Sequence, residues 1–111
     1  TGKTFPIRQS ISCDNCNVVY LIQCKRCNIQ YIGKTSSKFK TRINRHRNSI
    51  GQSSTEVARH FEMPGHGIEN FLAFAIEKVI GDIFVLGVRE RYWIDTLDVI
   101  STGLNTNRTN I

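Results

Sequence analysis

Two runs rich in β-branched and aromatic residues, Val18-Val19-Tyr20-Leu21-Ile22-Gln23 and Ile29-Gln30-Tyr31-Ile32-Gly33, are separated by five residues. Such runs at hairpin spacing predict an antiparallel strand pair. With Lys25 and Arg26 at its tip, Tyr20 falls opposite Tyr31 and Cys24 opposite Cys27, and both tyrosines share one face. From Ser37 to about Ile50 the period changes: Phe39, Ile43 and Ile50 recur at helical spacing, with Ser36 or Ser37 as N-cap and Gly51 as the stop. Arg42 and His46, four apart, project from the same side of this helix. A second, shorter helix is predicted from about Thr55 to Glu62, started by Ser53-Ser54 and ended by Met63-Pro64-Gly65. His60 lies near its end and His66 just beyond it. Residues 71–80 (FLAFAIEKVI), between Gly67 and Gly81, read as a buried third strand. Asp82 then caps a long helix to about Val99, with an inward stripe of Val85, Leu86, Trp93, Ile94 and Leu97 and with Glu90 on or beside it. The order strand, strand, helix, helix, strand, helix predicts an α+β fold, a small three-stranded antiparallel sheet flanked by helices.

At 111 residues the chain has room for one core of ordinary size. Residues 1–17 read as an N-terminal connector and 18–111 as the domain. Fifteen Lys and Arg against nine Asp and Glu give a formal charge of +6, which suits a polyanionic partner such as DNA. The chain contains no apolar run long enough to span a membrane and its first twenty residues have no secretory pattern, so the expectation is a soluble protein of a reducing compartment. In that setting the four cysteines, Cys13-x-x-Cys16 and Cys24-x-x-Cys27, read as metal ligands before disulfides.

Val18-Val19-Tyr20 and Tyr31-Ile32-Gly33, followed in order by Arg42, His46, Glu90 and Asn105, resemble the signature of the GIY-YIG nuclease family. Two cysteines between the tyrosine motifs and two later histidines, here Cys24, Cys27, His60 and His66, resemble the endonuclease of Penelope-like retroelements in particular. The first motif departs from the family name: valines stand where it has glycine and isoleucine. The resemblance implies the GIY-YIG fold with an embedded zinc site, action on DNA in the nucleus, and fusion to a reverse transcriptase that extends the 3′ hydroxyl left by a nick.

It also implies roles. Glu90 anchors one Mg²⁺ or Mn²⁺ ion, whose other positions are filled by water and phosphate oxygens as hard cations prefer. Tyr20 activates or orients the attacking water, and Tyr31 hydrogen-bonds that water or the phosphate. A tyrosine of ordinary pKa is a poor base, so either nearby cations lower it or the water is held for another acceptor. Arg42 grips the phosphate, His46 shares it or accepts the proton, and Asn105 braces the site. Lys34, Lys38, Arg42 and Arg45 supply charge for DNA binding. The ordinary alternative for Glu90 is an ion pair with Arg89 or Arg91.

A structural zinc site needs four converging ligands, and Cys24-x-x-Cys27 at a hairpin tip supplies half of one. Along a continuous strand, Cys16 and Cys24 would stand about 26 Å apart at ~3.3 Å per residue, which favours His60 and His66 over Cys13 and Cys16 as the other half. Cys13 and Cys16 are left without a partner. Two other functions compete with a nickase: a non-catalytic zinc-containing DNA-binding module with a degenerate nuclease fold, and a repair or homing nuclease of the same fold.

Overall fold

Three antiparallel strands in the order β2-β1-β3 form the centre of the fold: β1 (Val18–Cys24), β2 (Gln30–Thr35) and β3 (Phe71–Lys78). The computed structural model describes residues 11–53 and 55–97. Helices α1 (Phe39–Ser49) and α2 (Glu56–Phe61) cover one face of the sheet, and α3 (Ile83–Leu97) covers the other. β1 is buried on both faces, which is why it reads as a nearly unbroken apolar run. Val18, Tyr20, Ile22 and Cys24 pack with Phe39, Ile43, Val57, Phe61 and Phe71. Val19 and Leu21 pack on the opposite side with Ile32, Ile76, Leu86, Ile94 and Leu97. The predicted α+β architecture and element order hold.

The hairpin register differs from the sequence expectation. Tyr20 lies opposite Gly33 and Tyr31 opposite Ile22, while the Cys24 amide bonds the Ile29 carbonyl at 2.9 Å. A two-residue turn on Lys25 and Arg26 would require positive φ at both, which side chains of that kind disfavour. Instead the loop runs from Lys25 to Asn28, closed by Asn28 N–H to Cys24 O at 2.7 Å, and Asn28 takes the left-handed conformation at φ +64°. The register therefore shifts by two residues. Because side chains alternate with period two, that shift keeps both tyrosines on the shared face.

The caps also differ. Lys38 occupies the N-cap of α1 without a side-chain bond, and the Ser37 hydroxyl is engaged with Thr35 Oγ1 at 2.7 Å. The first amides of α1 are satisfied from outside: Phe39 N–H donates to Asn15 O and Lys40 N–H to Cys13 O, both at 2.9 Å. The turn at Ser12–Asn15 thus holds the start of this helix, and Ile11 packs against the core. Thr55, not Ser53, caps α2 by accepting from Ala58 N–H at 3.0 Å, while the amide and hydroxyl of Ser53 are bound by the Glu62 carboxylate. Ser54 lies outside the described residues. Gly51 follows α1 at φ +101°, and Asp82 Oδ1 accepts from the Phe84 and Val85 amides at 3.1 Å, both in their expected roles.

On α3 the buried positions are Leu86, Glu90, Ile94 and Leu97; Val85 is turned outward and Trp93 is half-buried. One helical stripe cannot also take in Val85, which sits a quarter-turn away against Gly81. The expected continuation to Val99 lies outside the described residues. β3 is a half-buried edge strand rather than a buried one, and Phe74 is exposed.

Candidate functional site

The site is built around the edge strand β2, which brings side chains from both layers to one place. On the α1 side, the Tyr20 hydroxyl lies 2.8 Å from His46 Nε2 and 3.1 Å from Arg42 Nε. Arg42 can only donate, so the phenol oxygen accepts that bond and keeps its own proton for His46 Nε2 when the histidine is in its Nδ1–H form. The predicted pairing of Arg42 and His46 on one side of α1 is realised on a single tyrosine oxygen. The His46 ring also meets the edges of both Tyr20 and Tyr31, at centroid separations of 5.7 and 5.8 Å.

On the α3 side, Lys34 Nζ reaches Glu90 Oε1 at 3.0 Å. The flanking arginines do not claim Glu90. Arg89 Nε donates to both oxygens of Glu77 at 2.9 and 3.0 Å, and Trp93 Nε1 donates to the same carboxylate at 2.9 Å. Glu77 thus ties α3 to β3 on either side of Glu90 along the helix, a role the sequence did not signal. Lys34, Arg42 and Arg45 line one cleft of about 290 Å³, together with Thr35, Ser36, Ser37, Ile83 and Leu86. Lys38 is exposed at the start of α1, outside that lining and near Asp14. Asn105 lies outside the described residues.

Burial sets the protonation states. Tyr20, with no exposed surface, has its pKa pushed well above the ordinary tyrosine value, mainly by desolvation and then by Tyr31; Arg42 opposes this but does not win. Tyr31 is raised for the same reason, with the Glu90 charge adding to it. His46 falls to about 4, through burial and the neighbouring Arg42 cation. Glu90 is raised by burial, against the pull of Lys34. Near neutral pH the tyrosines are therefore neutral phenols and His46 a neutral acceptor. Burial therefore works against a lowered pKa at Tyr20, and a histidine nitrogen stands directly beside its hydroxyl.

Stability carries the mark of His46. Between its folded value of about 4 and its unfolded value near 6.5, the unfolded chain binds more protons, so stability rises with pH through that window and levels off above it. The contribution is complete above pH 6.5 and lost as pH falls towards 4. Two to three pKa units correspond to roughly 3 kcal/mol. Urea midpoints of the wild type should climb over this range, and those of His46→Gln should be markedly flatter; equal slopes would show that His46 is not held neutral.

The structure gives the glycine of the Tyr31-Ile32-Gly33 motif a physical reason. A Cβ at this position would stand 2.5 Å from both Cζ and the hydroxyl oxygen of Tyr20, so the ring crosses the strand where only glycine leaves room. Gly33→Ala is expected to displace the phenol from His46 and Arg42 and to cost about 1–3 kcal/mol, the range for overpacking a filled core. Chemical unfolding measures this, and an unchanged midpoint would contradict it. Val18 in the divergent first motif is fully buried, so that departure falls at a packing position.

A second cluster lies at the hairpin tip. The ligand atoms of Cys24, Cys27, His60 and His66 lie within 4.8 Å of one another, Cys27 Sγ is 3.3 Å from His60 Nε2, and the histidine rings are 4.7 Å apart. His66 Nε2 is buried without a hydrogen-bond partner, a costly state that a metal bond would relieve. Desolvation and the adjacent His66 hold His60 below the usual histidine value, in the neutral form that ligates. Burial and the adjacent Cys24 hold the Cys27 thiol above its ordinary value. Two thiolates and two imidazoles at this spacing fit a tetrahedral metal site. Cys13 and Cys16 are exposed and take no part in it.

A three-stranded sheet with a tyrosine-histidine-arginine cluster, a buried carboxylate and a basic cleft around its edge strand defines a small α+β nuclease-type domain. The family model described as the GIY-YIG catalytic domain matches residues 16–101, and the chain belongs to that family. Nucleases of this family are metal-dependent, typically with Mg²⁺. Two solved structures of the catalytic domain of the intron-encoded homing endonuclease I-TevI share the fold. A point mutant of it has a TM-score of 0.70 and 23% identity over 84% of this chain and 95% of that one. The other has a TM-score of 0.69 and 24% identity over 81% and 97%. Comparison with curated protein sequences gives no significant match. Among the described residues no helix is long and apolar enough to cross a membrane.

Proposed function

We propose that this chain is a metal-dependent DNA endonuclease domain that nicks one strand, acting in the nucleus as part of a Penelope-like element whose reverse transcriptase extends the 3′ hydroxyl produced. The observation that carries the nuclease reading is the convergence on one cleft of Lys34, Arg42 and Arg45, backed by the Tyr20–His46 bond and flanked by Glu90. The Cys24, Cys27, His60 and His66 cluster, read as a zinc site, supports the Penelope-like assignment over a homing or repair nuclease. Residues 1–17 would then join the endonuclease domain, 18–111, to the rest of that protein, with Ile11 and the Ser12–Asn15 turn docked on it.

Arg42 is committed to Tyr20 through Nε, which leaves its terminal nitrogens for a phosphate. Tyr31 orients the attacking water. The proton of that water passes to the Tyr20 phenol as the phenol's own proton passes to His46 Nε2, 2.8 Å away. Glu90 would hold the Mg²⁺ or Mn²⁺, and the Lys34 ammonium already at its carboxylate marks that oxygen as a cation position. With one carboxylate available, a single water-rich ion fits better than a pair. When bound, such an ion supplies charge neutralisation at the phosphate and at the departing 3′ oxygen. Lys34, released from Glu90, adds a further phosphate contact, and Asn105 is assigned a bracing role by resemblance alone.

The test is conversion of supercoiled plasmid in Mg²⁺ or Mn²⁺. Accumulation of open circles whose nicks a polymerase extends without prior end repair is the expected result. Immediate linear product would replace nicking with double-strand cleavage. DNA binding without any cut would favour the non-catalytic module.

A further inference from the structure

The start of α3 and the loop just before it carry the three most exposed large apolar side chains among the described residues, with Val88 close behind on the helix. Ile80 is 88% exposed, Ile83 71%, Phe84 75% and Val88 51%. Isolated exposed apolar residues are ordinary on any protein, but four within nine positions form a patch that water disfavours. Between Val79 and Val88 the one charged residue is Asp82, and its carboxylate is already bonded to the amides of Phe84 and Val85. The patch is continuous with the basic cleft, because Ile83 lines that cleft beside Lys34, Arg42 and Arg45.

We propose that Ile83 and Phe84, flanked by Ile80 and Val88, form a wedge that presses between base pairs of a DNA duplex whose backbone is gripped in the cleft. The inference rests on the nuclease reading and adds to it the form of the substrate: duplex DNA that is bent as it is bound. Cations that hold phosphates and an apolar aromatic tip beside them are the two components by which proteins kink DNA, the wedge partly unstacking one step. A polyanion makes the cationic wall adhesive, whereas a second copy of this chain, with its net charge of +6, would be repelled by it. Bending costs least at pyrimidine–purine steps, so nicks should concentrate beside TA and CA steps with no base-reading contact required.

The probe is a short duplex of repeated TA steps with 2-aminopurine replacing adenine, whose fluorescence rises on unstacking. It is titrated with the whole chain in the absence of Mg²⁺ and Mn²⁺. Wild type should raise the fluorescence. Phe84→Ser should abolish the rise and weaken binding roughly tenfold, in line with the loss of one stacked base, while the salt dependence set by phosphate contacts stays the same. Phe84 is exposed, so the variant should melt like wild type; Ile83→Ser serves as a second variant of the same patch. Unchanged fluorescence and affinity in both variants would overturn the wedge. So would sedimentation showing that wild type self-associates and the variants do not, with DNA binding intact. Failure of wild type to bind any duplex would instead overturn the nuclease reading on which the wedge rests.

Discussion

Glu90→Ala is expected to reduce plasmid nicking on the order of 10³-fold while leaving DNA affinity within a few-fold of wild type, because the carboxylate's role is to hold the ion whose charge stabilisation amounts to several kcal/mol. The geometry makes the prediction specific. Glu90 is buried on α3, held ionisable by Lys34 at 3.0 Å, and not shared with Arg89, which Glu77 occupies. Among the described residues no acidic side chain, Glu90 included, belongs to a group of three or more potential ligands, so an ion at Glu90 would be held by this one carboxylate and by water. Removing it frees the Lys34 ammonium for the phosphate, and ground-state binding should persist or tighten slightly. Anisotropy with a labelled duplex and plasmid nicking on the same preparation separate the two effects. A variant that still nicks at a tenth of the wild-type rate or faster would remove Glu90 from the metal role. Parallel loss of binding and thermal stability would make it a structural ion-pair partner.

Removal of the metal from the hairpin-tip cluster should have the largest effect on stability. The four candidate ligands come from the end of β1, the β1–β2 loop, α2 and the segment after it, so one ion would join elements that otherwise meet through a small core. Structural zinc contributes much of the folding free energy in domains of this size, and a loss of even 3 kcal/mol lowers Tm by roughly 15 °C. The purified chain should contain about one zinc per molecule, and a strong chelator or Cys27→Ser should produce that drop. Zinc added back should restore Tm after chelation but not in the cysteine variant. Phenotypes should separate: Glu90→Ala keeps its zinc, and Cys27→Ser loses stability before it loses anything specific to cleavage. A metal-free preparation that melts at the same temperature with or without zinc would reduce the cluster to packed cysteines and histidines.

Much of this was legible from local pattern. The valine-rich run of β1, the helical recurrence of Phe39 and Ile43, the Asp82 cap and the Leu86–Leu97 stripe each encode their element in residues close together in the chain, where backbone preference and amphipathic spacing act directly. Cys24 and Cys27 pointed to half of the candidate metal site because a strand end and the loop that follows it stay close together. The ordered signature residues pointed to the family that the match over residues 16–101 establishes.

What the chain could not show locally was decided by packing between distant segments. The hairpin register depended on a single left-handed Asn28, and the start of α1 on carbonyls of Cys13 and Asn15, more than twenty residues upstream. The need for glycine at position 33 exists only because the Tyr20 ring crosses it from the neighbouring strand. Partner choice was likewise a matter of three dimensions: Glu90 took Lys34 rather than its neighbours in sequence, and His46 lost its charge because burial beside Arg42 made it costly. Residue types and their periods therefore determined which elements form and which chemistry is available. The tertiary structure alone determined which groups meet, because register, burial and ion pairing are properties of neighbours that the linear order does not contain.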